Sequence, residues 1–540
     1  MESNPIKNLV SKLKFRQKRQ NSLPKYDPVV HGPLVDYEIP GEHTEVERYW
    51  IEQPYVFVSV IKDCWMKYYN VVEPSLYEYE KYLLEKIHED LQDILVLENT
   101  DFEENKENIL IDNTLSLLYR YHKSIDTASI HKIIYYLKRN FLGYESINPL
   151  MLDPYIEDIS CDGVNVPVYL YHIKYRNIMT NITFNEERLN SLVIKLCQKS
   201  GKQISIGEPL VDATMSDGSR LQATLGKEVT TRGSSFSIRR FRSNPLTPID
   251  LIRFNTCSLE MMAYFWMIIE NGKNAIFAGG TASGKTSMLN AVSLFVPPLA
   301  KIISIEDTRE LTLHHDNWIA GVTRKSFTED GTSEISMYEL LKAAMRQRPE
   351  YILVGEVRGR EALTLFQAMS TGHTTYSTMH AGDAQTVVNR LENDPINVPR
   401  VMLKSIDVLS IQKQTYVNDN RVRKTQSIVE FTGIDPKTGE IRINELYRWD
   451  PVNDSFYSTM NSQALNNIMQ VRGWSKNKLH NEIENRKRIL DYMRINNMGD
   501  YISVSLVVHA YSTNPEIVLE SIENNNLEWV ISKNIDSGAR

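Results

Sequence analysis

A short apolar run, Asn274-Ala-Ile-Phe-Ala278, leads directly into Gly279-Gly-Thr-Ala-Ser-Gly284-Lys285-Thr286, and Ser287 to Leu294 then reads as a helix. A buried strand, a GxxxxGKT loop and a helix in that order leave few folds open. The glycines let successive backbone N–H groups turn inward as an anion nest, and the helix N-terminus adds a positive partial charge. The segment predicts a nucleotide-phosphate cradle made of Gly279, Gly280, Thr281, Ala282, Ser283, Gly284, Lys285, Thr286 and Ser287. Lys285 is expected to reach the β- and γ-phosphates, and Thr286 to hold Mg²⁺.

Two more buried strands end in carboxylates. Lys301-Ile-Ile-Ser-Ile305 runs into Glu306-Asp-Thr-Arg-Glu310, and Tyr351-Ile-Leu-Val354 runs into Gly355-Glu356-Val-Arg358. Ligands bind outside the carboxyl ends of an open parallel sheet. If these strands flank the first, Glu306 and Glu356 both face the γ-phosphate and its metal. One would polarise the attacking water while the other holds Mg²⁺, directly or through water; which does which stays open. Taken singly, either is an ordinary solvated strand-end residue. Downstream, Thr371-Gly-His373 and Thr378-Met-His380-Ala-Gly382 form a tight polar segment. His373 and His380 can sense whether the γ-phosphate is present, or can serve as structural hydrogen-bonders. No cysteine or carboxylate cluster accompanies them, so they are not read as metal ligands.

Length sets the rest of the organisation. At 540 residues, the chain exceeds what a single core holds, and three or four units are expected. Residues 1–30 form a basic segment, in which Ile6, Leu9, Val10 and Leu13 make one stripe beside Lys7, Lys12, Lys14, Arg16, Lys18 and Arg19. This is either a surface helix that touches acidic lipid or a partner, or a solvated tail. Residues 31–150 read as an α/β and helical region. Its strand is Tyr55–Ile61, Ser75 and Glu78 make a capping box, and Leu83, Ile87 and Leu91, extended by Ile94 and Leu95, make an apolar face; Glu98 to Asn108 is a loop. Residues 151–243 read as the second part of the N-terminal domain, with strands near 168–173 and 221–225, a helix over 186–199, and Arg220, Arg239 and Arg240 near strand ends. A Pro-marked linker over 244–257, a P-loop core over 258–415 and a C-terminal hairpin and helical extension over 416–540 complete the chain.

Composition excludes several classes. Net charge is −7, against the basic surplus usual for proteins that neutralise nucleic-acid phosphates, so no nucleic-acid partner is expected. Cys64, Cys161, Cys197 and Cys257 lack zinc-ribbon spacing and are read as buried reduced thiols. No cleavable signal peptide is visible. The most apolar window, Met261 to Ile269, is far shorter than the roughly 20 residues of a membrane span, so the chain is not expected to cross a bilayer.

The order of the P-loop, the Glu306 segment, Arg346-Gln-Arg-Pro-Glu-Tyr-Ile-Leu-Val-Gly-Glu356-Val-Arg358-Gly and the TGH…TMHAG segment resembles the type II/type IV secretion ATPase superfamily, over about residues 151–415. In family terms these are the Walker A, Asp box, Walker B and His box. Ile156-Glu-Asp-Ile-Ser-Cys-Asp-Gly163, Glu306-Asp-Thr-Arg-Glu-Leu311 and Asn317-Trp-Ile-Ala320 resemble the archaeal branch, most of all archaellum motor ATPases; pilus-assembly ATPases share most of these features. Glu350 stands where relatives often have Asp. The resemblance implies an α/β chain with a RecA-like P-loop NTPase domain, a mixed α/β N-terminal domain and a small C-terminal extension. It further implies a homo-hexamer that binds ATP and Mg²⁺ between its two domains, with Arg220, Arg239 and Arg240 as the N-terminal arginines that close over the phosphates. Such rings are cytoplasmic, peripheral to the inner face of the membrane, and act on a polytopic membrane platform protein. The rival classes are a nucleic-acid translocase and a ring scaffold that does not hydrolyse ATP.

Overall fold

Strands covered on both faces read as unbroken apolar runs, whereas strands with one wet face alternate; this chain contains strands of both kinds. The computed structural model describes residues 23–97, 106–241, 245–324, 334–418, 420–435, 437–459 and 461–536. The chain divides into two compact units, Met1–Phe241 and Arg242–Arg540.

The first unit opens with β1 (Thr44–Glu52), β2 (Val56–Lys62) and β3 (Lys67–Val72), followed by α1 (Glu78–Leu97), α2 (Lys106–Tyr121) and α3 (Thr127–Phe141). It continues with β4 (Ile156–Cys161), β5 (Tyr169–His172), β6 (Arg176–Thr180), α4 (Glu186–Lys199), β7 (Leu210–Thr214), β8 (Arg220–Thr224) and β9 (Ser235–Arg239). All nine strands make one sheet in the order β1-β2-β3-β6-β5-β4-β9-β8-β7. Among the described residues of this unit the only parallel junction is β3–β6, which joins the stretch before residue 150 to the stretch after it. Along β7, β8 and β9 buried and solvent-facing residues alternate, as antiparallel strands with one wet face require.

Within this unit α4 spans the residues expected of it, and Leu83, Ile87 and Leu91 are buried in the α1–α3 core. The side chains of Ile94 and Leu95, most of the 98–108 loop and the basic stripe at 6–19 lie outside the described residues. Two expectations need correction. Helix α1 starts at Glu78, and Glu80, not Glu78, reaches back to the Tyr77 amide at 2.6 Å; the Ser75 carbonyl instead accepts from Lys132. Cys64 is exposed at the β2–β3 turn, while the other three thiols are buried.

The second unit contains α5 (Leu259–Glu270), β10 (Ala275–Gly279), α6 (Lys285–Ser293), β11 (Ile302–Glu306), β12 (Trp318–Val322), α7 (Met337–Arg346), β13 (Tyr351–Val354), α8 (Glu361–Ser370), β14 (Thr374–Met379) and α9 (Ala384–Glu392). Then come β15 (Val408–Val417), β16 (Asn420–Ile434), β17 (Ile441–Asp450) and β18 (Ser455–Ser458), followed by α10 (Gln463–Arg472), α11 (Lys476–Ile495), α12 (Tyr501–Thr513), α13 (Pro515–Glu523) and α14 (Leu527–Asp536). The sheet order is β12-β11-β13-β14-β10-β15-β16-β17-β18, parallel as far as β15 and antiparallel beyond it. Strands β10, β11 and β13 are buried at every residue. Helices cover both faces: α5, α6 and the C-terminal helices share one core, and α7, α8 and α9 share the other. The described residues between 416 and 536 thus extend the sheet and complete a core face. The Pro-marked stretch carries a short helix, Pro248–Arg253, started by a Thr247–Asp250 capping box, and buries Ile249 and Leu251.

One ionic cluster ties the C-terminal helices down. Arg486 on α11 is 2% exposed; it contacts Glu270 of α5 at 2.6 Å and Glu482 at 2.8 Å, and its guanidinium lies 5.5 Å from the Trp266 ring centre. A cation so deeply buried is tolerated only when paired.

Candidate active site

Parallel strands deliver their following loops to one edge, and here that edge collects the motifs. The loop after β10 leaves no room for a side chain at Gly279, where a Cβ would stand 2.3 Å from the Gln412 carbonyl oxygen and 2.4 Å from Ser283 Oγ. Ala282 and Gly284 both have left-handed backbones, with φ of +57° and +94°. These turns bring the chain round to the first residue of α6, Lys285, which is buried with Nζ donating to the Gly280 carbonyl at 2.9 Å. Ser283 Oγ donates to the same carbonyl at 2.9 Å. Thr286 and Ser287 are half-buried in the first turn of the helix. A polyphosphate would take Lys285 away from a neutral carbonyl, and the loop's donors fit that ligand.

The expected strand order is corrected. Neither β11 nor β13 flanks β10, because β14 lies between β13 and β10. Its sequence, Thr374-Thr-Tyr-Ser-Thr-Met379, is polar by hydropathy, which hid it. It forms a central strand because β-branched and aromatic side chains suit the pleat and all its hydroxyls but that of Ser377 find partners: Thr375 Oγ1 donates to the His373 carbonyl at 3.0 Å and Thr378 Oγ1 to the Gly355 carbonyl at 2.6 Å. The consequence is that His380, the residue after β14, stands beside the P-loop strand.

Glu306, Glu356 and His380 come together at this edge. Glu306 is 2% exposed, with Oε1 accepting from the Glu310 and Leu311 amides at 3.0 Å each. Its Oε2 is buried with no hydrogen-bond partner, and burial pushes its carboxyl up to about 7. Glu356 Oε2 accepts from Arg358 at 2.5 Å, while Oε1 is buried without a hydrogen bond, 3.8 Å from His380 Nε2. Burial, then the Lys285 charge, hold His380 below its usual range. A Cβ on Gly355 would come within 3.1 Å of Glu306 Cγ, so glycine there lets the two strand ends close up. Buried carboxylate oxygens left unpaired await a partner, and a hydrated Mg²⁺ or a water nucleophile suits both.

His373 is not brought to this edge. It precedes β14 and therefore lies at the strand's amino end, bonded to Thr371 Oγ1 at 3.2 Å; six strand residues separate it from His380, roughly 20 Å at the strand rise. The three arginines belong to the first unit. Arg220 and Arg239 face each other across the β8–β9 ladder, and Arg220 also forks onto Asp212 at 3.2 and 2.9 Å. Arg240, the next residue along, points the other way. Its guanidinium donates to the backbone carbonyls of Asp153 and Leu150, which makes it an internal brace and corrects its grouping with the other two.

One contact had no sequence signal. Arg423 on β16 donates from Nε to the Ala282 carbonyl of the P-loop at 3.0 Å. Its position follows only from the long β15–β16 hairpin beside β10.

A family model described as "Type II/IV secretion system protein" matches residues 172–499, and one described as "PilB3-like, N-terminal" matches residues 6–75. An uncharacterized protein of Methanocaldococcus jannaschii is 36% identical over 385 residues, 70% of this chain and 69% of that protein. A second from the same archaeon is 45% identical over 243 residues, 45% of this chain and 90% of that protein. The type IV secretion system protein PtlH of Bordetella pertussis is 41% identical over 130 residues, 23% of this chain and 37% of its own. Among solved structures, the VirB11 ATPase of the Brucella suis type IV secretion system aligns at 21% identity and TM-score 0.27, covering 51% of this chain and 89% of that one.

Proposed function

The chain belongs to the type II/IV secretion system protein family, and from that premise we propose that it is a Mg²⁺-dependent ATPase. Its turnover drives an archaeal type IV pilin-like filament, the archaellum in the first instance. The observation that carries this reading is the edge where the P-loop, Glu306, Glu356 and His380 emerge together, with one buried, unbonded oxygen on each carboxylate.

Lys285 and the loop amides bind the β- and γ-phosphates. Thr286, with Glu306 or Glu356 acting directly or through water, would hold Mg²⁺, which when bound neutralises polyphosphate charge. Glu356 orients and deprotonates the attacking water, and its contact with His380 links that carboxylate to β14 beside the P-loop. Glu306, pushed up toward 7, is poised to exchange a proton near neutrality. Arg220 and Arg239 supply positive charge to the transferring phosphoryl group, as delivered arginines do in other P-loop enzymes.

The working form in this reading is a homo-hexamer at the cytoplasmic face of the membrane. It acts on a polytopic membrane platform protein, with acidic lipid contacted through residues 6–19. Among the described residues no helix is long and apolar enough to cross a membrane. The PilB3-like match over residues 6–75 favours a second reading, a pilus-assembly ATPase, because that stretch lies outside the nucleotide core.

The test is steady-state ATPase activity against protein concentration, with mass followed by light scattering and with single-stranded DNA or anionic vesicles added. We expect activity that rises cooperatively as hexamers form, responds to vesicles and ignores DNA. DNA stimulation that collapses with salt would replace this reading with a translocase, and absence of turnover would replace it with a scaffold.

A further inference from the structure

The β15–β16 hairpin outruns the strand it pairs with. Residues Val408 to Gln412 pair with β10, which ends at Gly279, while Lys413–Val417 and Asn420–Lys424 continue past it on the edge where the P-loop leaves the sheet. Alternation sends neighbours on β16 to opposite faces. Lys424 turns inward and is buried, with Nζ on the Asn255 carbonyl at 2.8 Å and on Asp454 at 2.6 Å. Arg423 therefore takes the other face, against the phosphate loop. Its Nε donates to the Ala282 carbonyl at 3.0 Å, and its Cδ lies 3.4 Å from where a Cβ on Gly284 would stand. Among the described residues no carboxylate is paired with Arg423, whereas its neighbour Lys424 has Asp454.

Ala282 is the residue that needs holding. It is the one non-glycine in the loop with positive φ, +57°, a region disfavoured for residues that carry a Cβ. A guanidinium bonded to its carbonyl is a charge-assisted tether, and a cation without a carboxylate keeps its field available to an anion.

We propose that Arg423 is a positioning residue of the nucleotide site. It fixes the Ala282 turn so that the cradle is preformed, and it adds a second positive charge, besides Lys285, at the phosphate loop. The proposal rests on the reading of this loop as nucleotide-binding. It assigns to the β15–β16 hairpin a part in nucleotide affinity and none in the bond-breaking step.

Full-length protein is titrated with a fluorescent Mg²⁺-ADP analogue, and KM and kcat for ATP are measured alongside. For R423A we expect binding weakened about tenfold and KM raised by a similar factor, the loss of one charged hydrogen bond, with kcat changed by less than about twofold. R423K, which keeps the charge and a donor, should recover most of the affinity, and R423M should not. Thermal unfolding without nucleotide should match the parent in all three. Parent-like binding by R423A, or a fall in kcat at unchanged KM, would overturn the inference while leaving the ATPase reading intact. Failure of the parent itself to bind would overturn both.

Discussion

The two sheets each have nine strands, yet they present their charged residues by different rules. In the second unit the strands from β12 to β15 are parallel, so every strand-to-helix loop leaves at the same edge. Four motifs separated by up to about a hundred residues meet there without further instruction. In the first unit nearly all junctions are antiparallel, and successive strand ends go to opposite edges. Arg220 and Arg239 meet because one begins β8 and the other ends β9. Position in sequence therefore locates a site on a parallel sheet, but on an antiparallel one register must be known as well.

That contrast can be tested by breaking each set. R220A or R239A should lower kcat about 10³-fold, the scale of a delivered arginine, with nucleotide binding retained. R240A should instead destabilise the first unit by about 2 kcal/mol, the cost of carbonyls left without their donor, seen as a lower urea midpoint. If R240A lost turnover at parent-like stability, its assignment as a brace would be wrong.

Deleting the Arg486 side chain tests how firmly the C-terminal helices belong to the core of the second unit. R486A leaves Glu270 without its cationic partner and Glu482 with Lys478 alone, and should cost about 3–5 kcal/mol in chemical denaturation. R486M, which keeps the packing on Trp266 and Tyr511, should cost less. Equal parent-like midpoints for both would show the helices to be an appendage.

His509 on α12 gives the same interface a pH dependence. Burial, then His315 and His314, lower its pKa to about 4 from the ordinary 6.5. The unfolded chain takes up the proton below 6.5 while the folded one does not, so stability is fully present above 6.5 and falls as pH drops toward 4. The contribution is at most about 3 kcal/mol, and H509Q should flatten the slope in a pH series of unfolding midpoints. The smallest effect concerns His373. H373A should leave kcat within about twofold, while H380A should lose about 10²-fold, the low end for a positioned proton-handling group. Equal losses would return His373 to the site.

The parallel core was legible because its strands are unbroken apolar runs bounded by glycine and carboxylate, and α4 was legible from its apolar repeat. Strand β14 was not, since its residues are hydroxylic and, Ser377 apart, their burial depends on backbone carbonyls that the sequence does not place. Without it, nothing in the sequence separates β11 and β13 from β10. The orientation of Arg240 and the reach of Arg423 had no local signal: the first depends on which face of β9 is inside, the second on how far a hairpin overruns its neighbour. The C-terminal helices showed their helicity in sequence but not their place, because the partner of Arg486 lies on α5, over two hundred residues earlier.

The central claim is that the carboxylates at the parallel edge serve chemistry at the P-loop. Single-turnover ATP hydrolysis by E356Q, beside a nucleotide-binding titration of the same protein, tests it most directly. We expect a rate reduced about 10³-fold with affinity within about threefold of the parent. Hydrolysis at the parent rate by E356Q would contradict it.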